Sequence, residues 1–392
     1  MMRRESGFTL LELVITILIT SVVLTAAMSA FIGLLGKSRS QGEIAESNEN
    51  MVGLEILRRD VESAGYGLFW SWNTVPLAYQ EAKADVNNPY AAAFNDSPTN
   101  APRAIVSQDS AVYTGVNSQF NGSDYLVIKS MNVAGNPAGA KWTYVTQNGA
   151  LNGTNPSGSG VGLWSSTTST AENFQSNPVP DRVIALEISD PTTRALVVGT
   201  SFYTTYTGGN PPLADPGFIP LNANDAYLVY GIDSPAGPGV PRSPFNRADY
   251  FISATGPDLV PGRCAPNTGV LYKATLDQTT GTFTLQALLD CVADMQVGYW
   301  LDVIGDGNLA SYTDISNLTV QQIRTELKKV GIYILTHEGR KDLTYTQPTN
   351  PPQDIYVGDP QYLNGEWYTL GANVNYRWKV YQLIITPKNL GT

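Results

Sequence analysis

The longest apolar run of the sequence lies at its amino terminus. Residues 8–36 contain one charged side chain, that of Glu12, and the next charge along the chain is Lys37. At a rise of about 1.5 Å per residue, this run exceeds the roughly 20 residues that a helix needs to cross a bilayer. No small-residue cleavage site follows the run, and the helical pattern continues beyond it. The sequence therefore predicts a transmembrane helix that stays attached to the chain.

The helical pattern continues without a proline as far as Ala64, which predicts one helix of about 57 residues. Its second half carries apolar residues at three- and four-residue spacing, and this stripe should pack on a sheet. Gly65 and Gly67 follow and favour a helix end, because glycine tolerates a positive φ. The stripe consists of Ile44, Met51, Leu54, Leu57, Val61 and Ala64.

Beyond residue 66 the apolar residues occur in short runs between segments rich in Gly, Asn, Pro and Ser, a pattern typical of strands and loops. A second helix is expected at residues 319–330, followed directly by a strand at 331–336. The sequence thus predicts an α+β fold, with a long helix on an antiparallel β-rich head that has large insertions. The second helix has the apolar face Val320, Ile323, Leu327 and Val330. Strands are expected at 123–130, 182–188, 195–206, 226–232, 249–253, 269–276, 282–290, 295–303 and 375–387.

The composition is typical of an extracellular β-rich protein rather than a cytosolic enzyme. The chain contains 36 glycines and 25 prolines, while charged residues make up only 15% of it. The net charge of -10 argues against a nucleic-acid groove on the body, since phosphate binding needs clustered Lys and Arg. Arg3 and Arg4 precede the apolar run. By the positive-inside rule they keep the short leader in the cytoplasm and send the remaining chain to the periplasmic side.

Glu12 is unusual, because a carboxylate within an apolar span costs about 2.5–3.5 kcal/mol at the helix centre and is usually kept for a partner. The string MMRRESG-FTLLE combines a basic leader, a glycine, an aromatic residue and this glutamate. It resembles the class III signal of type IV prepilins. The resemblance implies cleavage between Gly7 and Phe8 by prepilin peptidase, N-methylation of Phe8, and pairing of Glu12 with the terminal amine of an adjacent subunit.

Further segments are similar in kind and order to those of PilW-type minor pilins, which are related to the J-class pseudopilins of type II secretion. They are LRRDVESAGYG, GSDYLVIKS, GVLYKATL, LLDCVADMQVGYWLDVIGDG and YRWKVYQLIITPKNLG. The resemblance implies a type IV pilin-like fold and a subunit of the pilus tip or initiation complex. It also implies partners: other major and minor pilins through the helix, prepilin peptidase, the pilus assembly platform and the inner membrane. Residues 70–120 and 135–245 match no family pattern.

The expected organisation follows from these features. Residues 1–7 form the leader, 8–36 the transmembrane and assembly half of the helix, and 37–65 its amphipathic half. Residues 66–392 form the head, with a C-terminal sheet at about 265–392. The protein is expected first in the inner membrane, as a single-pass protein with a cytoplasmic N-terminus and a periplasmic head, and then in an extracellular pilus.

Two other functions fit the same sequence. A pseudopilin of a secretion system would share the leader and differ in its partners. Alternatively, the head is a tip adhesin that binds a surface, a glycan or DNA, and some of the seven tryptophans line the binding face. Most of the tryptophans are expected instead in the core or in strand pairs.

Cys264 and Cys291 flank the two strands expected at 269–276 and 282–290. In the oxidising periplasm they could form one disulfide, which would close a loop of roughly 28 residues. The alternative is two buried thiols in separate parts of the core, because spacing alone does not fix their separation.

The segment DVIGDGN at 302–308 has acidic and amide oxygens on alternate residues and resembles half of a calcium loop. Ile304 stands where such loops carry an oxygen ligand, and Thr313 replaces the distant bidentate glutamate. The alternative is a simple turn built on Asp and Gly. The candidate Ca²⁺ ligands are Asp302, Asp306, Asn308 and Asp314.

Enzyme motifs do not occur in the sequence. The single histidine, His337, excludes every motif that needs two, and no G-x-S-x-G elbow, P-loop lysine motif or H-E-x-x-H is found. His337 is expected at the surface or at a cap. The sequence therefore predicts a structural protein without enzymatic activity and with no cofactor other than the candidate Ca²⁺.

Overall fold

The chain divides into two units, residues 1–51 and residues 52–392. A computed structural model describes the chain in ranges, and within residues 32–49 it describes the backbone only. The described ranges are 10–83, 91–112, 115–147, 174–176, 179–188, 193–208, 211–222, 224–234, 239–349, 351–362 and 364–390.

The N-terminal helix, α1, spans Leu10–Glu62. Its segment Leu10–Phe31 has a mean hydropathy of 2.3, is long enough to cross a membrane, and has none of its residues buried against the protein. Hydroxyl groups within this span are satisfied by the helix itself. The Thr25 hydroxyl donates to the Ser21 carbonyl at 2.7 Å, and the Ser29 hydroxyl donates to the Thr25 carbonyl at 3.0 Å. Such internal bonds lower the cost of placing these polar groups in lipid.

The end of α1 in the head follows the predicted stripe from Leu54 onward. The stripe residues Leu54, Leu57, Val61 and Ala64 are buried in the main core, whereas Met51 is 62% exposed and does not belong to the buried face. The side chain of Ile44 lies outside the described residues. Two glycines follow the helix with positive φ angles of 82° and 71°, as predicted for Gly65 and Gly67.

Polar contacts also hold this end of the helix. The Asp60 carboxylate accepts hydrogen bonds from the Lys273 ammonium and the Tyr250 hydroxyl, both on the sheet. The Glu62 carboxylate pairs with Lys388 at 2.6 Å, and the Lys388 N–H donates to the Glu62 carbonyl at 2.8 Å. The C-terminal segment is therefore fixed to the last turn of α1.

Two sheets and one hairpin make up the strands of the described residues. A large sheet of eight strands has the order β16-β13-β11-β10-β9-β3-β2, with β12 beside β11. A sheet of six strands has the order β1-β6-β5-β8-β4, with β7 beside β5, and β14 pairs with β15. All pairs are antiparallel except β1 with β6. The strands are β1 (Ser71–Trp72), β2 (Ile105–Gln108), β3 (Tyr125–Ser130), β4 (Trp142–Thr146), β5 (Arg182–Glu187), β6 (Ala195–Leu196), β7 (Thr204–Thr205), β8 (Ala226–Asp233), β9 (Asn246–Ser253), β10 (Gly269–Leu276), β11 (Phe283–Leu301), β12 (Ala310–Tyr312), β13 (Leu327–Glu338), β14 (Asp354–Val357), β15 (Glu366–Thr369) and β16 (Arg377–Ile385).

This topology agrees with the α+β class, a long apolar N-terminal helix followed by a large antiparallel β-rich head. The large sheet is not limited to residues 265–392, because β2, β3 and β9 extend it from earlier parts of the chain. Five of the six strands of the smaller sheet, β4 to β8, lie within the unmatched residues 135–245. That insertion therefore has a sheet of its own, with a separate small core around Phe218 and Val229.

The second helix, α2 (Val320–Glu326), is shorter than the expected range 319–330. Thr319 caps it in a capping box with Gln322, which explains its start. Leu327 and Val330 belong to β13, where they pair with β11. The pattern of apolar residues fits either structure over so short a stretch, and pairing with the long strand β11 decides in favour of the strand.

Candidate functional site

The first described residues of α1 contain the glutamate of the leader motif. Glu12 is exposed on α1, and its backbone carbonyl accepts the Thr16 hydroxyl at 2.9 Å. Gly7 and Phe8, the residues expected at the cleavage and methylation site, lie outside the described residues. Glu12 lies near the end of an exposed apolar span, where a carboxylate is less costly than at the centre of a bilayer. This position suits a group that pairs with a partner near the membrane surface.

The two cysteines are joined in the head. Cys264 and Cys291 form a disulfide with their Cα atoms 4.9 Å apart and 27 residues apart in sequence. Cys291 has a φ of 54° and lies where the pairing of β10 with β11 changes register, between Gly269–Val292 and Leu271–Leu289. A bulge of this kind turns one side chain away from the regular alternation of the strand. The bulge therefore positions Cys291 next to Cys264.

His337 is buried, so its expected place at the surface or at a cap is wrong. Its Nε2 accepts the Ala265 backbone N–H at 2.8 Å, and its ring packs against Tyr376 and Trp378 at centroid distances of 4.6 and 5.1 Å. Burial lowers the pKa of His337 to about 4. Its burial could not be predicted from local sequence, because the aromatic neighbours come from β16 and the turn before it, about 40 residues further along the chain.

His337 also lies beside the disulfide. Among the described residues, Cys264, Cys291 and His337 are the one group whose side-chain ligand atoms lie within 4.8 Å of one another. The two sulfur atoms are bonded to each other. Sulfur atoms that are joined in a disulfide are not thiolates, which are the form that binds metal. The arrangement is therefore a disulfide packed against a neutral imidazole.

The candidate calcium residues form local turns. Asp302 accepts the Asp306 N–H at 3.1 Å, and Asp306 accepts the Asn308 backbone and side-chain N–H groups at 2.9 and 2.8 Å. The Asp314 carboxylate instead accepts hydrogen bonds from the backbone N–H and the hydroxyl of Ser316, at 2.7 and 2.8 Å. The three aspartates do not bring their carboxylates within 4.8 Å of one another. Calcium binding at this loop stays a prediction, and a closer approach of Asp314 would be required for it.

A buried network of charges in the head was not foreseen from the sequence. The Lys129 ammonium lies 2.7 Å from the Glu81 carboxylate and 2.6 Å from that of Asp96, and Arg247 pairs with Asp249 at 2.7 Å. The network joins the segment before β2 to β3 and β9. Its signal is visible in the sequence, because Lys129 directly follows the apolar run Tyr125–Ile128, and Arg247 and Asp249 lie just before the apolar run Tyr250–Ile252. A buried charge in a strand needs a partner, but the sequence does not reveal which one.

Comparison with known proteins identifies the N-terminal segment. A family model, described as the prokaryotic N-terminal methylation motif, matches residues 2–28. No curated protein and no solved structure matches the chain. The chain therefore carries a methylation motif of the pilin and pseudopilin type, continuous with an apolar helix that is consistent with a single-pass membrane anchor. The match covers the leader, Glu12 and most of the apolar span, and it does not extend into the head.

Proposed function

We propose that the protein is a PilW-type minor pilin, a structural subunit in the initiation complex or at the tip of a type IV pilus. The methylation motif at residues 2–28 carries this proposal, because it supports processing by a prepilin peptidase. The segments of the head that resemble those of PilW-type proteins, together with their order, support the finer assignment. The head then acts by assembly and display, and it catalyses no reaction.

The N-terminal helix supplies the chemistry of assembly. Before assembly the apolar span Leu10–Phe31 anchors the chain in the inner membrane, with Arg3 and Arg4 holding the leader in the cytoplasm. In the filament the same span lies among like helices, so its apolar surface stays buried. Cleavage after Gly7 frees the amine of Phe8, and Glu12 pairs with the corresponding amine of an adjacent subunit. An assembly platform and an ATPase on other chains drive the extraction.

The processing step is tested by intact-mass and N-terminal analysis of the protein in sheared surface filaments. Wild-type cells are compared with a strain that lacks the prepilin peptidase. We expect a chain that begins at methylated Phe8 in the filament fraction of the wild type, and an uncleaved chain in the inner membrane of the mutant. A chain that retains Met1 and stays in the membrane of both strains would overturn the proposal.

The choice between a pilus and a secretion filament needs a second measurement. Deletion of the gene should reduce the number of surface pili and leave the secretion of extracellular hydrolases unchanged. Re-expression of the intact gene should restore the pili. The opposite result, normal pili with hydrolases retained in the periplasm, would identify a type II secretion pseudopilin instead.

A further inference from the structure

The head contains an open polar cleft of about 910 Å³. It lies between the segment that follows α1, the loop before β2, and the start of α2. Six of its thirteen lining residues carry amide or hydroxyl side chains, which both donate and accept hydrogen bonds. These are Ser71, Asn95, Asn100, Thr193, Thr319 and Gln321.

A stacked arginine stands at one side of this cleft. The Arg324 guanidinium carbon lies 4.0 Å from the centroid of the Trp70 ring, and that of Arg194 lies 5.5 Å from the same ring. Stacking on an indole orients a guanidinium and leaves its N–H groups free to bond in the plane. Arg324 is further fixed because α2 is capped at its start and is held to the core by the buried Ile323.

The charge of Arg324 has no acidic partner among the residues that the structure describes. In the described part of the chain, no carboxylate lies within salt-bridge distance of Arg324, whereas Arg103 in the same cleft pairs with Asp96 at 2.7 Å. Partial burial lowers the pKa of Arg324, and no neighbouring carboxylate opposes this effect. An anion that entered the cleft would therefore gain a charge-assisted bond without displacing an existing partner.

We propose that this cleft binds a carboxylated saccharide, with the sugar carboxylate on Arg324 and the sugar hydroxyls on the amide and hydroxyl side chains of the wall. A carboxylate matches the planar fork of a guanidinium, which can donate two parallel hydrogen bonds. The amide and hydroxyl side chains of the wall suit a ligand rich in hydroxyls, since each of them can both donate and accept a hydrogen bond. The preset orientation of Arg324 reduces the entropy lost on binding. This inference goes beyond assembly, because binding by the purified chain does not depend on filament formation.

The test uses the full-length protein in detergent micelles and calorimetric titration with tetragalacturonate. The methyl ester of tetragalacturonate has the same sugar skeleton without the negative charges, and it serves as the comparison ligand. We expect esterification to weaken binding at least about tenfold, because it removes the ionic partner of Arg324. Arg324→Gln should weaken binding of the acid by a similar factor and leave binding of the ester nearly unchanged. Arg340→Gln is the matched control, since Arg340 is an exposed arginine elsewhere on the head.

Two further variants keep the test decisive if Arg324→Gln does not fold. Arg324→Lys retains the charge but loses the fork, and we expect an intermediate loss for the acid. Gln321 lies at an exposed position of α2. Gln321→Ala should weaken binding of the acid and binding of the ester by the same factor, and this factor should be smaller than that of Arg324→Gln for the acid. Thermal denaturation checks that each variant is folded.

Several outcomes would overturn the inference. They are equal binding of acid and ester, an equal loss in Arg340→Gln and Arg324→Gln, and no binding at millimolar tetragalacturonate. Binding of hexaglutamate as tight as that of the saccharide would also overturn it and would indicate an acidic protein partner. None of these results bears on leader processing, so the failure of this inference is distinct from the failure of the proposed function.

Discussion

His337 is the residue whose surroundings most clearly predict a dependence on pH. Its ring is buried between aromatic side chains, and its Nε2 accepts a backbone N–H, so the neutral imidazole is the form that fits. A proton on Nε2 would break this hydrogen bond and place a charge in an apolar environment. Burial is accordingly the main reason that its pKa is lowered to about 4 from 6.5.

The contribution of His337 to the stability of the head should therefore fall as the pH falls from about 6.5 to about 4. In this window the unfolded chain binds a proton at His337 and the folded chain does not, so protonation favours unfolding. The full shift corresponds to about 3 kcal/mol of unfolding free energy, present above pH 6.5 and lost towards pH 4. Urea denaturation of the wild type and of His337→Gln at both ends of the window measures this contribution, because other groups in the window, such as Asp294, whose pKa burial raises to about 6, titrate in both proteins.

The control for this prediction is direct, because the chain contains one histidine. The imidazole protons of His337 form a single titration curve in the NMR spectrum of the folded protein. A midpoint near 6.5 would contradict the burial argument. A midpoint near 4, with a pH dependence unchanged in His337→Gln, would show that other groups cause the loss of stability.

At the scale of secondary-structure elements, Gly53 determines how closely α1 approaches β11. A Cβ at this position would lie 2.2 Å from the Leu288 carbonyl oxygen, a backbone atom that has little freedom to move. Glycine in a helix normally costs about 1 kcal/mol relative to alanine. At position 53 the lower helix propensity of glycine is outweighed by packing, because the methyl group of alanine would force α1 and β11 apart.

Gly53→Ala should therefore destabilise the head although it raises helix propensity. We expect a loss of about 1–3 kcal/mol in the free energy of unfolding, the usual range for overpacking. Gly262→Ala serves as the control, because a Cβ there meets no atom within 4 Å. Chemical denaturation followed by tryptophan fluorescence measures both variants. A more stable Gly53→Ala protein would show that α1 does not pack this closely on β11.

The disulfide joins the loop before β10 to the bulge of β11. Replacing both Cys264 and Cys291 by serine should lower the free energy of unfolding by about 3–4 kcal/mol. The bridge joins residues 27 apart in the sequence and so reduces the conformational entropy of the unfolded chain. The midpoint of thermal unfolding measures the loss. Reducing agent should lower this midpoint in the wild type and leave that of the double variant unchanged. An equal effect of reductant on both proteins would contradict the prediction.

Local signals explain which elements could be predicted from the sequence. The long helix, its end at Gly65 and the pairing of β10 with β11 depend on residues that are neighbours in the chain. The early end of α2 could not be predicted, because the partner strand β11 decides it. The cleft and the charge network could not be predicted either, since Trp70 meets Arg324 and Lys129 meets Glu81 only after folding. Long-range contacts of this kind leave no periodic pattern in a single sequence.

At the scale of the whole molecule, the residues proposed to act in assembly lie in a different unit from the sheets of the head. Glu12 and the apolar span belong to residues 1–51, while the two sheets, the disulfide and the polar cleft belong to residues 52–392. A change that affects subunit association in the first unit should therefore leave the stability of the second unchanged.

Glu12→Gln tests this separation. The amide keeps the size of the side chain and removes its charge, so a terminal amine in an apolar helix bundle would lose its ionic partner, a loss that is large in a low-dielectric environment. We expect the amount of protein in sheared filaments to fall at least about tenfold, while membrane insertion and the unfolding free energy of the head stay as in the wild type. Immunoblots of filament and membrane fractions, together with urea denaturation, measure the three quantities.

Glu55→Gln, at an exposed position of α1 within the second unit, is the matched control and should assemble normally. A Glu12→Gln protein that enters filaments at the wild-type level would show that the charge at this position is not required for assembly.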